Sequence, residues 1–324
     1  MLSNKMSVDC QIIIQRANGG VFRPGEPVIG KVKYVINKPT KFKTIDINFL
    51  GKAKCAWSVP GPEKTTIEYF NEEEYVNDNI NIFKSKHGQE DLLSGTFEYP
   101  YEFELPANIP STIKFNLLCK IEYKVIVVFV LKSFWASVKK FSEEFPVYGF
   151  VSPCSPEPLI FSLQKKVISL KDISTVDVKA EIEKTFLAPG EDIILKLTIN
   201  NDTDVPVTIK TELVEYCTCI ANDKTNKVFT SPLTYTKSTR SVEKKSSSVI
   251  TCIVPILLKW CSIQNSKILK GEFKVRVTAK LPFPYTNAFV EAPVVIGEMM
   301  TNHIEASKAV TDWNPSLSNT TTLC

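Results

Sequence analysis

The sequence is poor in the side chains on which most enzymes depend. Its 324 residues include only two histidines, His87 and His303, and 12 glycines. A Ser-His-Asp or Cys-His site would have to use His87, because His303 lies in a polar C-terminal stretch, yet no nucleophile elbow accompanies His87 in the segment KSKHGQEDLL. The few glycines form no phosphate-binding loop. We therefore expect no enzymatic activity and no cofactor.

Long apolar runs are also missing. The longest, Val125 to Leu131, has the length of a strand, whereas a membrane span needs about 20 apolar residues. The N-terminal sequence MLSNKMSVDC lacks the apolar middle of a secretory signal. We expect a cytoplasmic protein whose nine cysteines, an odd number without a disulfide framework, are reduced. A formal net charge of +4 is too small to indicate nucleic acid as a partner.

Metal-ligand spacings are scarce as well. Cys217 and Cys219 form a Cys-x-Cys pair, and strand spacing places both on one face. Zinc usually needs four ligands, and no second pair or histidine follows at a recognisable spacing. We interpret the two residues as neighbouring core thiols and expect no metal. Cys252 and Cys261 have no sequence partner either, which leaves a redox role open for them.

What the sequence does contain is alternation of apolar and polar residues with a period of two, which indicates strands. Ile45, Ile47 and Phe49 share one face, while Asp46 and Asn48 point the other way. Further predicted strands lie at 11–15, 28–34, 97–103, 121–127, 176–182, 193–199, 207–213, 249–253, 273–277 and 290–296. No strand–helix repeat accompanies them, so the predicted class is all-β, with antiparallel sandwiches.

Two repeats indicate that the sandwich is duplicated. Pro24-Gly25-Glu26 recurs 165 residues later (189 − 24) as Pro189-Gly190-Glu191. Pro presets φ at the second position of a type II turn, and Gly supplies the positive φ of the third. The segment IEYKVIV at 121–127 returns as GEFKVRV at 271–277. We predict two tandem immunoglobulin-like antiparallel sandwiches, each entered through one Pro-Gly-Glu turn.

The segment GFVSPCSPEPL separates the two halves. Its three prolines in six residues predict an extended, semi-rigid hinge. The predicted organisation is an N-terminal domain at 1–150, a hinge at 151–158, a C-terminal domain at 159–300 and a mobile polar tail at 301–324.

Lysines are concentrated between residues 31 and 54. This segment contains seven of them, and Asp46 is its one acidic residue. Lys31 and Lys33 share one strand face, and so do Lys52 and Lys54. With Arg16 and Arg23, they are our candidate surface for an anionic partner such as a phosphorylated tail or acidic lipid. The alternative is a solvated face that protects strands from aggregation.

The chain resembles the arrestin family, and within it the α-arrestins, or arrestin domain-containing proteins. The resemblance runs through GGVFRPGEPVIGKV, IDINFLGKAKCAW, LLSGTFEYPYEFELPANIPSTI and VEAPVVIGE, over roughly residues 10 to 297. The most specific match to the family signature consists of Gly95, Pro100, Phe103, Leu105, Pro106, Pro110 and Ser111. It implies two hinged sandwiches and a non-enzymatic adaptor. Such an adaptor would bind cytoplasmic tails or loops of membrane proteins and direct their endocytosis, endosomal sorting or ubiquitination, with recruitment to the plasma membrane or endosomes and peripheral membrane contact.

The sequence departs from the family in two places. Many α-arrestins recruit ubiquitin ligases through PPxY motifs, but this chain has no two adjacent prolines. Ligases would therefore be recruited indirectly, for example through another arrestin. The strand QIIIQR lacks the paired lysines that grip receptor phosphates, which favours binding that does not depend on phosphorylation. One α-arrestin forms a mixed disulfide with thioredoxin, and the resemblance makes Cys252 and Cys261 the candidate thiols for this alternative.

Overall fold

A computed structural model describes residues 8–15, 20–85, 92–116, 118–131, 137–152, 158–168 and 173–299. These residues form seventeen strands and two short 3-10 turns, at Pro62–Lys64 and Thr234–Thr236. Within the described ranges, no helix is long and apolar enough to cross a membrane. The prediction of an all-β chain of antiparallel sandwiches is confirmed.

The first sandwich depends on one long strand. Its strands are β1 Val8–Ile14, β2 Pro27–Pro60, β3 Thr66–Lys84, β4 Leu92–Glu104, β5 Ile113–Lys114, β6 Lys120–Leu131 and β7 Val138–Phe145. The first part of β2 pairs antiparallel with β1 and β4. Its second part pairs antiparallel with β3 and β6, and β6 extends this sheet to β5 and β7. A single strand thus belongs to both sheets.

The sequence predicted two separate strands where the structure has the continuous β2. Pro39 lies between them, and proline is a usual sign of a strand end. The chain continues in extended form through Pro39. The pairing of β2 with β4 is interrupted there, and its register shifts between Ile36 and Thr40. Proline has no N–H to donate, so it is tolerated where the ladder is interrupted.

Aromatic rings fill the space between the two sheets of this first domain. Phe49 stacks on Phe103 at a centroid distance of 5.0 Å, and Tyr34 contacts the edge of Phe129 at 5.3 Å. Each pair joins one sheet to the other. Tyr34 and Phe103 belong to the β1–β2–β4 sheet, whereas Phe129 and Phe49 belong to the sheet formed by the second part of β2 with β3 and β6. Inward residues of β2 such as Val28, Val32, Ile45 and Ile47 are fully buried, as the period-two pattern requires.

The second sandwich is built from ten strands. They are β8 Leu159–Ile168, β9 Ile173–Ile182, β10 Phe186–Leu187, β11 Asp192–Asn201, β12 Val207–Ile220, β13 Asn226–Pro232, β14 Ser238–Val242, β15 Ser246–Pro255, β16 Leu269–Lys280 and β17 Ala288–Ile296. One sheet has the order β15-β11-β9-β8, and the other has the order β10-β17-β16-β12-β13, with β14 also on β12. Aliphatic side chains such as Leu195, Ile199, Val275 and Val277 make up its core.

Candidate functional site

The two Pro-Gly-Glu segments form turns of the same geometry. The Glu26 N–H donates to the Arg23 carbonyl at 3.0 Å, and the Glu191 N–H donates to the Ala188 carbonyl at 3.1 Å. Gly25 has φ of +82° and Gly190 has φ of +91°. These are the hydrogen bond and the positive third-position φ that a type II turn requires.

The glutamate of each turn has a role that sequence reasoning missed. A carboxylate oxygen of Glu26 accepts the Arg23 N–H at 2.8 Å, and one of Glu191 accepts the Ala188 N–H at 2.6 Å. The third motif residue therefore closes the turn from its side chain, in addition to the backbone bond. The repetition of glutamate in both motifs could have indicated this role, since a type II turn by itself needs only proline and glycine.

Arg23 lies at the first turn and contacts the second domain. Its Nε and one terminal nitrogen donate to the two carboxylate oxygens of Glu298, at 2.6 and 2.9 Å. The hydrogen bonds that Arg23 donates to Glu298 are the main reason why the pKa of Arg23 is raised. Arg23 belongs to the predicted surface for an anionic partner, and in the structure its guanidinium is paired with Glu298. Arg16, the other arginine of that prediction, lies outside the described residues.

Arg23 belongs to a set of contacts that we call the interdomain junction: Arg23, Ser111, Gly149, Cys261 and Glu298. Ser111 Oγ accepts the Gly149 N–H at 2.8 Å and donates to Cys261 Sγ at 3.1 Å. A Cβ on Gly149 would lie 2.4 Å from a backbone carbonyl oxygen, so glycine is needed for this close approach. Ser111 is part of the signature, and the structure shows that it connects the two domains.

The predicted hinge at 151–158 falls mostly outside the described residues. Its first two residues are fixed: the Val151 N–H donates to the Glu298 carbonyl at 3.0 Å, and the Ser152 N–H donates to Gln264 Oε1 at 2.7 Å. The start of the connection is thus bound to the second domain. The predicted tail at 301–324 and both histidines lie outside the described residues.

Lys31 and Lys33 share an exposed face of β2, as the alternation predicted. Both are bridged by Glu98 of the neighbouring strand β4, at 2.8 and 3.1 Å. These hydrogen bonds from Lys31 and Lys33 lower the pKa of Glu98. A glutamate that is 65 residues away in sequence (98 − 33) therefore neutralises part of this charge.

Lys52 and Lys54 have the same arrangement on the other sheet. Glu72 of β3 lies 2.6 Å from Lys54 and 3.9 Å from Lys52. The hydrogen bond from Lys54 is the largest influence that lowers the pKa of Glu72. Because the inner faces of the two sheets pack on each other, this pair and Lys31/Lys33 lie on opposite outer faces of the sandwich. The structure does not combine the four lysines into one basic patch.

Further acidic groups balance the face that carries Lys52 and Lys54. Glu122 is almost fully buried between Lys120 and Lys124, with Lys124 Nζ at 2.9 Å from its carboxylate. Burial alone would raise the pKa of Glu122, but the hydrogen bonds from Lys120 and Lys124 bring it below the ordinary value. In register, Glu74 lies opposite Lys52. Alternating charges fit the solvated-face alternative better than a strong anion site.

The two thiols proposed for a mixed disulfide are buried. Cys252 lies on the inner face of β15 within the second core, and Cys261 lies in the interdomain junction. Burial raises the pKa of Cys261 to about 11, so this group is a thiol at neutral pH and a weak nucleophile. The thioredoxin hypothesis remains a prediction, and this geometry does not favour it.

The structure brings together four thiols that the sequence did not connect, which we call the thiol cluster: Cys55, Cys119, Cys217 and Cys219. All four are at most 1% exposed. Cys55 and Cys119 come from the first domain, and Cys219 Sγ lies 3.2 Å from Cys119 Sγ. Sequence reasoning found only the Cys-x-Cys pair, because the partners are about 100 residues or more away. Among the described residues, no group of three or more His, Cys, Asp or Glu is arranged to hold a metal ion.

Comparisons with known proteins agree with this architecture. Residues 10–152 match the family model of the arrestin (or S-antigen) N-terminal domain, and residues 174–301 match that of the C-terminal domain. The chain belongs to the arrestin family. It is 30% identical over 101 residues to the arrestin domain-containing protein C31A2.12 of Schizosaccharomyces pombe. That alignment covers 31% of this chain and 17% of the yeast protein.

Proposed function

We propose that this chain is a non-enzymatic adaptor of the α-arrestin type. It binds cytoplasmic tails or loops of membrane proteins and directs their endocytosis, endosomal sorting or ubiquitin-linked trafficking. The observation that carries the proposal is the presence of both arrestin domains, held in contact by the interdomain junction. Two docked sandwiches offer long sheet faces and edges on which an extended peptide can bind.

The charge distribution supports cargo that need not be phosphorylated. A phosphate carries up to two negative charges and is usually bound by clustered basic groups that lack acidic partners. Here the lysine pairs are bridged by Glu98 and Glu72 and lie on opposite faces. We therefore place the protein in the cytosol as a constitutive adaptor that is recruited to the plasma membrane or endosomes by its cargo. Ubiquitin ligases would be reached through another arrestin, since the chain has no PPxY motif.

The experiment is a surface proteome of cells that lack the chain, compared with the same cells expressing it again. We expect a defined subset of membrane proteins to accumulate at the surface and to return to normal on re-expression. The same proteins should be recovered with the tagged chain after crosslinking. An unchanged surface proteome, together with no membrane protein on the tagged chain, would overturn the proposal.

The lysine pairs offer matched variants for the binding mode. K31Q/K33Q and K52Q/K54Q remove the same charge from opposite faces of one domain. Peptides from the recovered cargo are measured in plain and phosphorylated form against wild type and both variants. We expect phosphorylation to change the affinity of wild type by less than about threefold. A stronger preference for phosphopeptides that only one variant loses would contradict constitutive binding and would locate an anion site.

A further inference from the structure

The contact between Cys119 and Cys219 joins the two domains at their buried interface. Cys119 precedes β6 in the first domain, and Cys219 lies near the end of β12 in the second. Their sulfur atoms are 3.2 Å apart, and both residues are fully buried. The apolar core of the first domain extends around them to Ile268 and Leu269 of the second domain. This approach of two thiols crosses between the domains.

The first-domain thiol is held in place by its own turn. Asn116 Oδ1 accepts the N–H groups of Cys119 and Leu118, at 2.7 and 2.8 Å. Such a side chain fixes a turn in the way that a backbone acceptor would. Cys219 is fixed by strand pairing, since β12 is hydrogen-bonded to both β13 and β16. Two rigid elements therefore present the sulfur atoms to each other.

The two thiols differ in acidity. The hydrogen bond from Cys219, with help from Asn116 and the positive charge of Lys227, lowers the pKa of Cys119 to about 7. Its three sulfur neighbours, Cys119 first, raise the pKa of Cys219. The hydrogen bond thus favours ionisation of Cys119 and keeps the proton on Cys219. A thiolate beside a thiol is the arrangement from which a disulfide forms, because the thiolate is the nucleophile.

We propose that Cys119 and Cys219 form a reversible disulfide that locks the two domains together when the cytosol is exposed to hydrogen peroxide. The Cys119 thiolate attacks one peroxide oxygen, which forms an S–O bond, breaks the O–O bond and, with one proton, releases water. Cys219 sulfur then attacks the Cys119 sulfenic acid, the S–S bond forms, and the departing hydroxide leaves as water with the Cys219 proton. In sum, two thiols lose two electrons and one peroxide is reduced to two waters.

The S–S bond itself requires little movement of the two sulfur atoms. A disulfide bond is about 2.05 Å long, so the sulfur atoms must approach by about 1.1 Å. The bond would be a covalent link between the domains in addition to the interdomain junction, where Arg23 and Glu298 form hydrogen bonds. It would also close a loop of about 100 residues, which restricts the unfolded chain.

The test uses the full-length wild-type protein, so it does not depend on how any variant folds. The protein is treated with hydrogen peroxide, remaining thiols are alkylated, and trypsin peptides are mapped without reduction. We expect Phe115–Lys120 linked to Thr211–Lys224, with fragmentation placing the bond on Cys219 rather than Cys217. Dithiothreitol should release the link. The oxidised protein should melt at least about 5 °C higher than the reduced form.

Variants separate this pair from its neighbours. C119A and C219A should abolish the link and the shift in melting temperature, whereas C217A and the matched core control C252A should keep both. A link through Cys55 or Cys217 would overturn the assignment. So would stoichiometric zinc in the purified protein, or alkylation of both thiols after peroxide treatment and denaturation. The readout is a covalent bond, so its failure leaves the proposed cargo function untouched.

Discussion

The two domains share a turn motif and a strand motif, yet their cores differ. Among the described residues, ten of the buried residues in the first core are aromatic, whereas the buried residues of the second core include two aromatic ones, Trp260 and Phe273. Ring contacts depend on orientation, and aliphatic contacts depend mainly on volume. A repeated local motif therefore places the strands but does not determine which side chains fill the space between the sheets. We expect the first domain to tolerate core substitution less well.

We expect the largest difference in stability between the two domains from equivalent core substitutions, F129L in the first and F273L in the second. Phe129 contacts the rings of Tyr34, Phe42 and Phe141, while the ring contact of Phe273 among the described residues is with Trp260. Both side chains are buried, so the loss of apolar area is similar. Each ring pair adds about 0.5–1.5 kcal/mol, and we expect F129L to lower the free energy of unfolding by at least about 1 kcal/mol more. Urea denaturation with hydrogen exchange measures this, and an equal loss would contradict it.

The ion pairs beside the two turns differ in how far their side chains are exposed to water. Arg23 and Glu298 form two hydrogen bonds with side chains 20% and 31% exposed, whereas Lys184 and Glu191 are 57% and 41% exposed. Exposed pairs contribute little because water screens them. A double-mutant cycle with R23Q and E298Q should give a coupling of about 1 kcal/mol, against about 0.3 kcal/mol for K184Q and E191Q. A larger coupling energy for Lys184 and Glu191 than for Arg23 and Glu298 would show that burial does not determine the strength of these ion pairs.

Alanine at the turn glycines should have a smaller effect. Both glycines have positive φ, so G25A and G190A should each destabilise by about 1 kcal/mol. A Cβ on Gly190 would also lie 2.9 Å from Leu258 Cδ2, while none of the neighbours of Gly25 comes within 4 Å. We expect G190A to lose a few tenths of a kcal/mol more, because the flexible Leu258 side chain has to move. Thermal unfolding compares the two, and a larger loss in G25A would be evidence against this account.

The smallest effect is a pH dependence in the first domain. The pKa of Glu122 lies below its ordinary value of 4.5, so its carboxylate stabilises the fold above that pH and loses this contribution as pH falls through the lower folded pKa. The stability difference between wild type and E122Q should be constant above about pH 5 and should shrink below about pH 4. Urea midpoints across this range measure it. A difference that grows on acidification would reverse the assigned sign.

Local patterns were sufficient for the strands and turns. Period two predicted the inward residues of β11, and Pro-Gly predicted both positive φ values, because each property depends on a few neighbouring residues. The same reasoning predicted separate strands at 28–34 and around Ile45–Phe49 within the continuous β2, since alternation is a local signal while strand continuity depends on partners from elsewhere. The lysines were predicted to be exposed, but Glu98 and Glu72 reach them only through strand pairing.

Alternation, turn chemistry and the repeated motifs determined from sequence alone that this chain is a pair of tandem antiparallel sandwiches, and the resemblance of its signature segments indicated the arrestin family. The tertiary structure alone decided which side chains meet across the domains: Arg23 with Glu298, Ser111 with Cys261, and Cys119 with Cys219. These pairs are 100 or more residues apart in the chain. Local sequence patterns do not predict such contacts, because packing and strand register bring distant segments together only when the whole chain folds.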